Sequence, residues 1–300
     1  MRAVLFAFLA VVTWVVFTLV LRAAVAVWPI GLIGTFSRLV TLPVLGGWVL
    51  MTGFGWKRLR TRGVGRWLLL MGAISLVINL LWFLSLRFTT ATNCAMLFRL
   101  DLLFVVLIGA LLGQERIGLP QLTLVPAMLV GLALLSEVHK LDFHGHLLGD
   151  LMVVGAAFGF AVNAFVIRHI MGTMDEEAVA LYNHAMSSMG FVVLALMGDE
   201  FAEAGRMLAH PMALVGIVTL GVIAVVHLPL YYAALRRMRV WTLRAFMLSA
   251  PVMAAAVEWS LWGERMTVPQ GLGAAIILAG LGVLIAIEKR SQREKGGQNP

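Results

Sequence analysis

The sequence predicts an all-α polytopic membrane protein, with ten transmembrane helices arranged as two inverted five-helix repeats. Three observations carry this reading. The 300 residues are 61% hydrophobic and only 13% charged, against about 45–50% and about 25% in an ordinary soluble domain. Apolar runs of spanning length follow one another with hardly any polar chain between them. The same motifs recur in the same order half a chain apart. A water-facing surface cannot be built from so few charges, and the abundance of Leu, Val, Ile and Phe excludes disorder. The single cysteine, Cys94, excludes an internal disulfide framework and a cysteine-based metal site.

A bilayer core about 30 Å thick needs roughly 20 apolar residues in a helix. Ten segments meet that need: Ala3–Leu21, Pro29–Met51, Trp67–Leu86, Thr90–Leu112, Leu119–Leu135, Leu148–Ile170, Ala178–Met197, Met212–Leu235, Val240–Trp262 and Gln270–Ile287. The seventh is the least apolar, because it carries Asn183 and His184. The first resembles a signal peptide, with Arg2, an apolar run and Ala24-Val25-Ala26. Its apolar run exceeds the roughly 7–15 residues of a cleavable signal, and Arg22 separates it from the small residues, so it reads as a retained span.

The basic residues set the orientation. With the N-terminus inside, 15 of the 23 lysines and arginines fall on the cytoplasmic side, five outside, and Arg38, Arg99 and Arg244 within spans. Both termini are therefore expected in the cytoplasm, with the chain in the inner membrane of a bacterial-type cell. The net charge of +8 then reads as a topology signal. No nucleic-acid partner is expected.

The repeat is legible at two offsets. A shift of 149 carries Glu115 to Glu264, Arg116 to Arg265, Gln121 to Gln270 and Leu86-Arg87 to Leu235-Arg236. Near the start of each half the shift is 146, which takes Trp14 to Phe160, Arg22 to Arg168, and Arg38 to His184. The units are 1–146, 147–288 and a short basic tail, 289–300. Five spans per unit is odd, so the second unit enters the membrane from the opposite face. Inverted repeats allow a midplane site to open to alternate sides.

These residues resemble the drug/metabolite transporter superfamily, in particular its EamA-type members. The resemblance rests on the aromatics Trp14 and Phe160, on Pro29 and Arg38, and on the Gly-Glu-type endings Gly113-Gln114-Glu115 and Gly263-Glu264. It rests also on Gln121 and Gln270 opening small-residue-rich spans, and on Pro251. Leu102 stands where a proline would match Pro251. The resemblance implies Glu115, Glu264 and Pro251 as structural motif residues, and export as the direction of transport.

Charges inside a bilayer cost a few kcal/mol or more each and mark function or pairing. Arg38 lies about nine residues, or ~13 Å at 1.5 Å per residue, into its span. Arg99 and Asp101 are comparably deep and point about 200° apart on one helix. A guanidinium fork suits a carboxylate or phosphate, so Arg38 and Arg99 are candidate substrate ligands. Asp101, His184, Trp14, Asn79 and Asn163 complete the candidate substrate site. Structural pairs, Arg38 with Asp101 or Arg99 with Glu258, compete with that reading. Arg244 is close enough to the inner end of its span to snorkel. Asp101, Glu258 and His227 are the candidates for proton coupling. The histidines at 139, 144 and 146 read as a solvated loop rather than a metal site, and no cofactor is expected.

No enzyme signature is present. The expected function is secondary transport of a small polar or amphipathic metabolite, such as an amino acid or organic acid, across the cytoplasmic membrane. A membrane-embedded enzyme or an accessory or scaffold subunit handling lipid-linked substrates is the alternative. Monomer and homodimer are both open.

Overall fold

The computed structural model describes residues 2–51, 63–85, 87–114, 118–137, 146–262 and 267–296. Among them there is no strand. The chain forms α1 (Arg2–Val25), α2 (Ile30–Met51), α3 (Gly65–Ser85), α4 (Ala91–Leu97), α5 (Asp101–Leu111), α6 (Leu119–Leu135) and α7 (Leu147–Ile170). It continues with α8 (Glu176–Met197), α9 (Ala204–Leu208), α10 (Pro211–Arg237), α11 (Val240–Met247), α12 (Ser249–Trp262) and α13 (Val268–Gly296). Among the described residues eight segments are long and apolar enough to cross a bilayer, and the chain is a multi-pass membrane protein. The expected fourth and fifth spans are not among the eight. The fourth is interrupted, and α6 has only 17 residues.

The interruption in the fourth passage is a turn of 3-10 helix, Phe98–Leu100, between α4 and α5. Its counterpart lies at Leu248, between α11 and α12. The 149-residue shift takes Arg99 onto Leu248, so the two breaks are equivalent. Pro251 explains the second one. Proline has no N–H for the carbonyl four residues back, here Met247, and its ring crowds that carbonyl. Leu248 accordingly turns tighter, its N–H reaching Ala245 O at 3.2 Å. The first break has no proline; Asp101 N–H instead reaches Phe98 O and Arg99 O.

Packing repeats as the sequence does. Helix α3 lies on α7 as α10 lies on α1; α3 meets α8 as α10 meets α2; α5 meets α7 as α12 meets α1. Exchanging the halves maps each pair onto the other. The self-paired contacts, α2 with α8 and α6 with α13, mark the pseudo-two-fold axis. Equivalent helices run antiparallel across it. Gly31 faces Ala195 and Gly34 faces Phe191, while Gly46 faces Leu181. Along the other pair, Gly273 faces Gly131 and Leu135, while Gly280 faces Met128. Glycine is needed at two of these crossings: a Cβ at Gly34 would enter the Phe191 ring, and one at Gly273 would enter the Gly131 carbonyl. Small residues let helix backbones approach where lipid offers no hydrophobic drive to associate.

The ends are tied by local polar chemistry. Thr267 and Gln270 form a reciprocal cap at the start of α13: Thr267 N–H donates to Gln270 Oε1 at 2.9 Å, and Gln270 N–H to Thr267 Oγ1 at 3.4 Å. Glu176, opening α8, holds Arg236 and Arg237 at 3.1 and 2.8 Å. Asp150 accepts from Thr89 at 2.5 Å and Asn93 at 3.3 Å, stapling α7 to the start of α4.

Candidate functional site

The two helix breaks bring charge together. Asp101 opens α5, and Arg244 lies on α11 just before the opposite break. Arg244 Nη1 is 3.4 Å from Asp101 Oδ2, with both side chains buried. Arg244 Nη2 donates to Phe160 O at 3.2 Å, and its guanidinium carbon sits 3.8 Å from the Phe160 ring centroid and 5.4 Å from that of Tyr231. Arg99, in the 3-10 turn, is an electrostatic neighbour of both Asp101 and Arg244. Arg38–Asp101 is not the pair observed: Asp101 goes to Arg244; the expected pair Arg99–Glu258 involves a side chain outside the described residues. Arg244 does not snorkel. Only Met238 and Arg239 link α10 to α11, and all eight residues of α11 are buried. Four residues from the span end is therefore already inside the protein.

Arg38 is placed differently. Its guanidinium carbon lies 5.5 Å from the Phe191 centroid on α8. Its Nε and Nη1 are enclosed and meet no hydrogen-bond partner. Its electrostatic neighbours include His184 and His227. His184, its counterpart in the repeat, donates from Nε2 to Ala224 O at 3.2 Å, which ties α8 to α10. His227 reaches Thr13 Oγ1 from Nδ1 at 3.0 Å, with its ring centroid 5.3 Å from Trp14. The Thr13 hydroxyl also lies within reach of Leu9 O and Ala10 O. Both histidines and Trp14 thus join helices.

A string of polar groups crosses four helices. Asn163 Nδ2 donates to Ser75 Oγ at 2.9 Å, Ser75 Oγ donates to Asn183 Oδ1 at 2.8 Å, and Asn183 Nδ2 donates to the Tyr232 hydroxyl. Asn79 Nδ2 donates to Ser187 O at 3.4 Å. Sequence reasoning missed Ser75, Tyr231 and Tyr232. Its available signal was the doublet itself: two of only three tyrosines stand side by side within an apolar span.

Rings connect the two charged regions. Phe191 and Phe83 have centroids 5.2 Å apart, Phe83 and Trp82 4.7 Å, Trp82 and Phe98 6.3 Å, and Phe98 and Phe160 5.2 Å. The run starts under Arg38 and ends under Arg244. Trp82 Nε1, the Tyr231 hydroxyl and Arg244 Nε are buried without a hydrogen-bond partner. Buried polar groups are normally satisfied, and this set consists chiefly of donors. An apolar recess of about 300 Å³ lined by Leu68, Leu69, Tyr182 and Met186 is separate and bears no charge.

Glu115 and Glu264 lie outside the described residues, as do the histidines at 139 and 144; Glu258 falls within α12, but its side chain is outside them too. His146 donates from Nδ1 to Phe88 O at 3.0 Å. Among the described residues no three His, Cys, Asp or Glu side chains gather to hold a metal.

The model of the EamA-like transporter family matches residues 1–137 and 147–286. Comparison with curated proteins gives no match. The fold is similar to that of a solved structure described only as the crystal structure of a protein, with a TM-score of 0.77 at 18% identity over 95% of this chain and 97% of that one. The two family matches cover both repeats, and the chain belongs to the EamA-like transporter family.

Proposed function

We propose that this member of the EamA-like transporter family carries a small organic anion across the cytoplasmic membrane by alternating access, with Arg38 as the principal ligand of the anionic group. One observation carries the reading: Arg38 keeps Nε and Nη1 enclosed and unpartnered. An isolated buried charge is costly, and a guanidinium edge is complementary to a carboxylate or phosphate. Among the described residues the buried charges Asp101, Asp150, Glu176 and Arg244 each have a polar partner, whereas the half-buried Arg38 has none at Nε or Nη1.

Ten passages, both termini in the cytoplasm and export are parts of the same proposal. The antiparallel run of α2 against α8 and of α6 against α13 supports inversion of the repeats. Exchange of the two equivalent arrangements then opens the site to alternate faces. The helix breaks at Arg99 and Leu248 are a further feature shared with the discontinuous helices of other transporter folds.

Counterflow in proteoliposomes tests this, using labelled organic acids and acidic or neutral amino acids, with and without an imposed pH gradient. Saturable flux of an anion, absent in Arg38→Gln, is expected. No flux of any panel compound under either condition contradicts transport. Flux that Arg38→Gln leaves intact contradicts the assignment of Arg38.

A further inference from the structure

The run of rings from Arg38 to Arg244 has a chemical consequence for what the site accepts. Resting on the anion-transport reading above, we infer that the substrate is an aromatic carboxylate, its carboxylate on Arg38 and its ring against Phe83 and Trp82, the partly accessible rings next to the buried Phe191. The contacts draw on both repeats: Arg38 comes from α2, Phe191 from α8, Phe83 and Trp82 from α3, and Phe160 from α7. Trp82, Phe83, Phe98 and Phe160 stay partly accessible despite touching one another across these helices, whereas Phe191, under Arg38, is buried.

The two ends of the run are not alike. At one end Arg244 is covered, by Asp101, Phe160 O and the Phe160 ring. At the other, Arg38 has only the Phe191 ring and two unpartnered N–H-bearing atoms. The anionic head therefore goes to Arg38 and the body extends along the rings. Aromatic pairs prefer offset or edge-to-face contact at centroid separations of about 4.5–7 Å, the range the neighbouring rings already keep. An aliphatic guest fills the same space without matching the ring quadrupoles. The unpartnered indole N–H of Trp82 adds a donor beside that face.

Three ligands of similar size isolate the two features: benzoate, cyclohexanecarboxylate, which lacks the π face, and benzamide, which lacks the charge. Their affinities for the purified full-length protein in nanodiscs are read by calorimetry. Benzoate is expected to bind about five-fold more tightly than cyclohexanecarboxylate, with benzamide at least tenfold weaker than benzoate. Phe83→Leu is expected to bring the benzoate to cyclohexanecarboxylate ratio close to one, whereas Arg38→Gln loses both carboxylates. If Phe83→Leu does not fold, Trp82→Leu reads the same ratio. Equal or tighter binding of cyclohexanecarboxylate by the unmodified protein overturns the inference and leaves anion transport standing. So does a ratio that survives both ring substitutions. If no carboxylate binds and none is transported, the functional reading fails and this inference fails with it.

Discussion

Arg244 is buried and Arg38 half-buried in one apolar protein, and their surroundings are opposite. Arg244 has a carboxylate, a carbonyl and a ring packed against it. Arg38 has a ring and two enclosed, unpartnered nitrogens. The first arrangement resembles a structural pair, whose removal leaves an uncompensated charge. The second is the arrangement of a site that meets its counter-ion from outside. Depth in the membrane does not separate the two roles, and both leave an N–H unpartnered, Arg244 at Nε; the counter-charge that Arg244 has and Arg38 lacks does.

The comparison is sharpened first at the paired end. Asp101→Asn leaves Arg244 buried against a neutral side chain, and a loss of about 3 kcal/mol of stability or more is expected, read by thermal or denaturant unfolding in detergent. Restoring neutrality in Asp101→Asn/Arg244→Met recovers much of that loss, which a double-mutant cycle measures. At the open end the expectation reverses. Arg38→Gln removes no partner's counter-charge, so stability changes by less than about 1 kcal/mol while anion transport is lost. A smaller effect is expected at the polar string. Ser75→Ala cuts both its bond from Asn163 and its bond to Asn183, costing about 1 kcal/mol, in line with interhelical hydrogen bonds in membranes of about 0.6 to 1.7 kcal/mol. The smallest belongs to the second break. Pro251→Ala permits the missing bond to Met247 O, and amide hydrogen exchange around Leu248 is expected to slow with little change in global stability.

The long apolar segments and the repeat were legible because lipid imposes them on composition and spacing. The pairing of Arg38 with His184 by offset was legible too, and the two stand on the self-paired helices α2 and α8. Partner choice was not. Asp101 and Arg244 are 143 positions apart, and nothing in local pattern says which of three arginines meets Asp101. Arg244 was misread as interfacial because depth was counted from the apolar run alone, although the two-residue link to α10 buries α11 from its first residue. The break at Phe98–Leu100 was hidden for want of a proline, since the repeat carries Leu102 opposite Pro251. The aromatic run was invisible because its rings come from helices scattered through both halves and meet only after packing.

The most direct measurement compares Arg38→Gln with the unmodified protein in a single preparation, reading melting temperature and organic-anion counterflow together. An unchanged melting temperature with abolished counterflow is the expected result. Counterflow at the unmodified rate, or collapse of the fold, would show that Arg38 is not a ligand held open for an anion.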